Sequence, residues 1–165
     1  MKTLFLLRHA KAENAAPGSP DINRALNERG KREALALGAF IRKQSSTFEL
    51  VLCSPAVRAR ETAELVLSAA EVTVNVRYDQ RIYEAGPRQL LEVISEVAAN
   101  QSAVLLVGHN PGMEELLRAL TGKGEPMATC TLAQIDFNFA DWGRVTECSG
   151  SLELINQPGT GAVWL

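Results

Sequence analysis

The chain has 165 residues, 46% hydrophobic and 22% charged, a balance suited to one domain over residues 1–165 with a sizeable buried core. A net charge of -2 leaves no polybasic surface, which argues against nucleic acid or a membrane as a partner selected by bulk charge. Cys53, Cys130 and Cys148 are odd in number, widely spaced and without a CxxC pair, so free thiols are expected, neither a disulfide framework nor a zinc site.

Met1-Lys2-Thr3 leads into a short apolar run that stops at Arg8, too short for a signal-peptide core or a membrane span, and a cytoplasmic location is expected. Thr3 to Leu7 reads as a central strand, apolar throughout because helices cover both its faces. Lys11 to Asn23 carries Pro17-Gly18 and Ser19-Pro20 and reads as a loop over the sheet edge. A helix opens near Asn27, with apolar positions at Ala34, Leu35, Leu37, Gly38 and Ile41, and ends near Gln44-Ser45-Ser46. Glu49 to Cys53 is a second buried strand, closed by Ser54-Pro55, and Ala56 to Ala70 is dense in helix formers. Val72, Val74 and Val76 alternate with polar residues and predict a third strand nearer an edge.

Gly86-Pro87 marks a turn before an amphipathic helix over residues 89–99. Ser102 to Val107 is a fourth buried strand, Gly108 to Gly112 the loop after it, and Met113 to Leu120 a short helix. Thr131 to Phe139 and Ser151 to Ile155 predict two more strands, a possible edge hairpin, joined by a turn holding Asp141-Trp142-Gly143; Gly159-Thr160-Gly161 falls in a terminal tail. The alternation of strands and helices predicts a three-layer α/β/α sandwich with a mostly parallel central sheet.

Three of these strands run into loops bearing Arg or His: Arg8 and His9, then Arg58, then His109, with His9 and His109 the only histidines. Parallel strands would bring those loops to one edge, where open α/β sheets bind ligands. The arginine fork matches a tetrahedral oxyanion, and a neutral imidazole can attack phosphorus as a covalent nucleophile. For either segment alone, a surface arginine and a satisfied histidine would be an adequate account.

The segment Leu7-Arg8-His9-Ala10 resembles the arginine-histidine-glycine signature of the histidine phosphatase superfamily, whose members include phosphoglycerate mutases, acid phosphatases and small phosphohistidine phosphatases. Ser54-Pro55-Ala56-Val57-Arg58-Ala59-Arg60-Glu61-Thr62 is similar to that family's second motif, SPxxRAxxT, and Val107-Gly108-His109-Asn110 to its third. The resemblance spans residues 3–125. Small size, the Arg-His-Ala variant and the stretch Asp21 to Gly30 look most like the SixA-like branch. It implies a phosphoglycerate mutase-like fold and makes His9 the nucleophile that becomes phosphohistidine. Arg8 and Arg58 would bind the phosphoryl oxygens, keeping His9 neutral, and His109 would stabilise the transferring group.

Many family phosphatases that cleave alcohol esters place a carboxylate after the third strand, and Glu84 falls at about that place as a candidate general acid; otherwise it is an exposed capping carboxylate. Lys11, Asn14 and Arg24, in or beside the first loop, are candidate substrate contacts. Ala10 replaces the usual glycine. Rival motifs fail on spacing: four residues separate Cys53 from Arg58 where a cysteine-phosphatase loop needs five, no GxxxxGK[ST] sequence occurs, and no Asp or Glu follows either histidine at ligand spacing. No metal or other cofactor is expected. The leading expectation is a phosphohistidine phosphatase acting on a protein such as a histidine phosphotransfer domain, because the chain lacks long insertions that would cap a small substrate. A small-molecule phosphomonoesterase is the enzyme alternative, and a phosphoprotein-binding module without turnover the alternative of another class.

Overall fold

The computed structural model describes residues 1–147 and 149–165, so Cys148, expected as a free thiol, lies outside the described residues. Its strands are β1 (Lys2–Arg8), β2 (Leu50–Cys53), β3 (Val76–Tyr78), β4 (Ala103–Gly108), β5 (Leu132–Phe137), β6 (Gly150–Gln157) and β7 (Gly161–Trp164). Its helices are α1 (Glu28–Lys43), α2 (Val57–Ala70), α3 (Pro87–Ser95) and α4 (Gly112–Thr121). The strands form one sheet in the order β3-β2-β4-β1-β5-β6-β7, with β1 in the middle. Strands β3, β2, β4 and β1 are parallel, whereas β5, β6 and β7 each pair antiparallel with the preceding strand in the sheet.

The apolar runs have the cause the sequence suggested. In β1, Leu4 and Leu6 join the core under α3 and α4, while Phe5 and Leu7 join the core under α1 and α2. Leu50 and Leu52 alternate with Val51 and Cys53 in the same way, as do Val104 and Leu106 with Leu105 and Val107. Successive side chains point to opposite faces, so a strand covered twice must be apolar at every position. Each fully buried Leu or Val contributes roughly 1.5–3 kcal/mol. Helix α1 starts where the Asn27 side chain accepts the Gly30 N–H at 2.8 Å and crosses α2 closely at Gly38, whose ideal Cβ would lie 2.5 Å from the Val66 carbonyl oxygen.

Two local expectations are revised. Val72 and Val74 pack against the α1–α2 core but precede the strand, because the chain is still closing α2: Glu71 is left-handed at φ 56°, and the Val72 N–H bonds the Leu67 carbonyl at 3.1 Å. Residues 159–161 are no loose tail. Gly159 and Gly161, at φ 84° and 76°, turn the chain so that β7 pairs with β6, which leaves the β5–β6 hairpin inside the sheet. Trp142 does lie in the expected turn, a short 3-10 segment over Trp142–Arg144, where it is fully buried and donates its indole N–H to the Gln101 carbonyl at 2.7 Å. Among the described residues no helix is long and apolar enough to cross a membrane.

Candidate active site

Register brings the four basic residues together. Arg8 pairs with Gly108 across β1 and β4, and Cys53 pairs with Val107 across β2 and β4, so Ser54, His9 and His109 emerge side by side at the carboxyl ends of three adjacent strands. The backbone continues the pairing one step further: His9 N–H donates to the Gly108 carbonyl at 3.0 Å and Ser54 N–H to the Val107 carbonyl at 3.1 Å. The two imidazole rings lie 5.1 Å apart between centroids. Arg58 arrives on the first turn of α2, immediately after the Ser54-Pro55 corner.

His9, His109 and Arg58 are 8%, 8% and 5% exposed, so each has exchanged water for protein partners. His9 Nδ1 lies 2.7 Å from the Ala10 carbonyl oxygen. A carbonyl only accepts, so Nδ1 carries the hydrogen and, in the neutral ring, Nε2 keeps the lone pair. Burial pushes the His9 pKa down to about 4 against the pull of the Ala10 carbonyl, and Arg58, Arg8 and Arg24 lower it further. The neutrality expected from the arginines is thus owed first to burial.

His109 presents the opposite tautomer. Its Nε2 lies 2.7 Å from Ser54 Oγ, and that oxygen already accepts the Ala56 N–H at 3.2 Å. Ser54 is fully buried, and its hydroxyl hydrogen has no other acceptor among the described residues, so it is donated to Nε2 and the ring hydrogen sits on Nδ1. Burial lowers the His109 pKa to about 3, with His9 and Arg58 adding to the effect.

Arg8 Nη1 donates to the Met127 carbonyl at 2.9 Å, while Arg58 donates through Nη1 to the Asp21 carbonyl at 2.9 Å and through Nη2 to Asp21 Oδ2 at 3.0 Å. Arg8 Nε, Arg58 Nε and His109 Nδ1 are buried without a partner among the described residues. Three such donors from the four expected residues match a ligand with several acceptor oxygens, since a buried donor left unpaired costs about 1–3 kcal/mol.

The lesser candidates divide. Glu84 is exposed, sits at φ 54°, and lines a cavity of about 420 Å3 with Arg58, His109, Asn110 and Glu115. Gly112 packs α4 onto this loop so tightly that a Cβ there would lie 2.1 Å from the Ala85 carbonyl oxygen. Arg24 donates to Asp21 Oδ1 at 2.9 Å and to the Glu13 carbonyl at 3.1 Å, which places it beside the pocket. Asn14 and Lys11 are exposed on the loop, and neither side chain has a hydrogen bond among the described residues. A separate cavity of about 390 Å3, lined by Arg32, Phe40, Cys130 and Pro158, holds none of the four basic residues.

Sequence reasoning missed three residues here. The sequence pattern gives Ser54 only as the residue that closes a strand and opens the SPxxRAxxT-like motif, and names neither Asp21 nor Tyr83 as a site residue. Tyr83 donates its hydroxyl to Asp21 Oδ2 at 2.7 Å, and its ring stands against His109 at 5.5 Å. Ser54 had a signal, as the first residue after a strand predicted to point at the site. Asp21 has one as the first residue of the stretch to Gly30 that resembles the SixA-like branch, whereas Tyr83 has none beyond lying in a loop. Cys53 is fully buried, and burial raises its thiol pKa to about 12, so it supplies no thiolate.

A model of the histidine phosphatase superfamily (branch 1) matches residues 4–90, more than half of the chain. An uncharacterized protein of Mycobacterium leprae (strain TN) is 37% identical over 122 residues, covering 72% of this chain and 73% of its own. Two solved structures, each provisionally assigned as phosphohistidine phosphatase SixA, come from Nakamurella multipartitia and Agrobacterium tumefaciens. They match with TM-scores of 0.84 and 0.83, both at 30% identity, over 96% and 95% of this chain and 97% and 98% of their own. The chain belongs to the histidine phosphatase superfamily, in its SixA-like branch of phosphatases.

Proposed function

We propose that this phosphatase hydrolyses phosphohistidine through a covalent phosphohistidine intermediate on His9, with a phosphorylated histidine phosphotransfer protein as substrate. The observation that carries this reading is the pinned His9 ring: Nδ1–H is committed to Ala10, leaving Nε2 as an unprotonated nucleophile beside Arg58 and Arg8. In the first step Nε2 forms a bond to phosphorus as the bond to the leaving group breaks, and the departing atom takes that electron pair. Arg8, Arg58 and the His109 Nδ1–H hold the equatorial oxygens. Water then attacks phosphorus and releases inorganic phosphate, restoring His9. Arg24 acts through Asp21, and Asn14 is available to touch a protein substrate at the rim.

Phosphate release and acid-labile enzyme phosphorylation, followed by quench-flow with a phosphohistidine-bearing phosphotransfer domain, test the proposal. Both signals are expected in the wild type and neither in His9→Ala. A second reading, a small-molecule phosphomonoesterase, is favoured by the cavity that Glu84 shares with Arg58 and His109. In that case ester hydrolysis would depend on Glu84 as acid, and Glu84→Gln would abolish it while sparing phosphohistidine.

A further inference from the structure

Asp21 is a carboxylate placed where a phosphatase pocket would be expected to avoid one. Its Oδ1 accepts from Arg24 at 2.9 Å, and its Oδ2 accepts from Arg58 at 3.0 Å and from the Tyr83 hydroxyl at 2.7 Å. An ionised carboxylate has about four acceptor positions, so three donors leave it one. The side chain is 45% exposed, and Tyr83, one of its donors, packs directly on His109. Asp21 is therefore fixed at the pocket mouth with spare capacity to accept a hydrogen bond. The Tyr83 hydroxyl, with Arg24 and Arg58, holds its pKa down to about 2, so it has no proton to give. It is an acceptor, not a general acid.

We propose that Asp21 determines specificity by accepting a hydrogen bond from the protonated ring nitrogen of a substrate phosphoimidazole, which selects N-phosphorylated imidazole over phosphate esters. The inference rests on the reading of His9 as nucleophile and names what the same site recognises in its leaving group. A phosphoimidazole carries the phosphoryl group on one nitrogen and, when protonated, a hydrogen on the other. As His9 Nε2 bonds to phosphorus, the substrate P–N bond breaks and its electron pair returns to the nitrogen that held the phosphoryl group. The ring leaves as neutral imidazole, its proton still on the far nitrogen. No acid is consumed. A fixed negative charge beside that N–H favours the protonated ring, the form that leaves readily. An ester departs as an alkoxide, offers no N–H to Asp21, and brings no positive charge to offset the carboxylate.

The experiment compares wild type, Asp21→Asn and Asp21→Glu on phosphoimidazole and on p-nitrophenyl phosphate, with inorganic phosphate binding measured alongside. In Asp21→Asn the ratio of kcat/KM for phosphoimidazole to that for p-nitrophenyl phosphate should fall about 10- to 100-fold, the loss of one charge-assisted hydrogen bond. The alkaline limb of kcat for phosphoimidazole, which reports the ring proton in the bound complex, should move to lower pH. Asp21→Glu, which keeps the charge, should recover part of both. An unchanged ratio, with both substrates falling in step and phosphate binding weakening in parallel, would mean that Asp21 only positions Arg58 and would overturn the proposal. A wild type that turns over the ester but not phosphoimidazole would instead overturn the underlying phosphohistidine reading, and the proposal with it.

Discussion

Ser54→Ala isolates the tautomer of His109. The serine hydroxyl sits between the Ala56 N–H and His109 Nε2, fully buried, so removing Oγ leaves Nε2 without a partner and frees the ring to carry its hydrogen on either nitrogen. A buried hydrogen bond lost with its partner left behind costs about 1–3 kcal/mol. If that cost falls on the transition state, kcat drops about 5- to 150-fold with KM little changed, because the proposed donor to the transferring phosphoryl group is no longer guaranteed. Where the cost falls instead on the folded ground state, it appears as a fall in Tm of roughly 2–12 °C for a chain of this size. Steady-state kinetics on a phosphohistidine substrate give the first quantity, thermal unfolding the second, and 15N shifts of the His109 ring the tautomer itself. A variant whose His109 still carries its hydrogen on Nδ1, or whose kcat matches wild type, would refute the proton accounting.

Two further outcomes follow from burial and packing. With His9 and His109 held near 4 and 3, kcat/KM should show no acid limb at the ordinary histidine value of 6.5 and should fall only on acidification towards 4, as the pH–rate profile will show. The unfolded chain binds protons on both histidines below 6.5 while the folded chain refuses them. Their contribution to stability is therefore complete above 6.5 and lost as pH falls to about 4 for His9 and about 3 for His109, and a Tm-versus-pH series should be flatter in His109→Asn. Gly112→Ala would drive a methyl to 2.1 Å from the Ala85 carbonyl oxygen, so about 1–3 kcal/mol of overpacking and a lower Tm are expected, with Glu84 displaced.

The central strands were legible because burial on two faces forces an uninterrupted apolar run, and β1, β2 and β4 are buried in that way. The four basic residues were legible for a related reason: each follows such a run closely, and parallel pairing carries the ends of those runs to one edge. What the sequence pattern did not reveal depends on neighbours distant along the chain. β7 is short and mostly exposed, so it lacks the two-sided apolar signature, and only its pairing with β6 makes it a strand. Ser54 acquires its role from the register that sets Cys53 beside Val107, one residue before Gly108 and two before His109. Asp21 and Tyr83 meet across 62 positions through a single hydrogen bond, and local patterning carries no trace of it.

The pairing of Arg8 with Gly108 sets when the protein can first act. His9, the proposed nucleophile, and His109 lie 100 residues apart in sequence, so they become neighbours only when a loop of that length has closed and β4 has zipped between β1 and β2. Such contacts form slowly, because the entropy of closing the loop is lost before the pairing rewards it. Helices α1 and α2 can therefore be in place on a molecule that does no chemistry. In a refolding experiment, helical signal should recover before phosphatase turnover, and the delay between them times the closure of the sheet's centre.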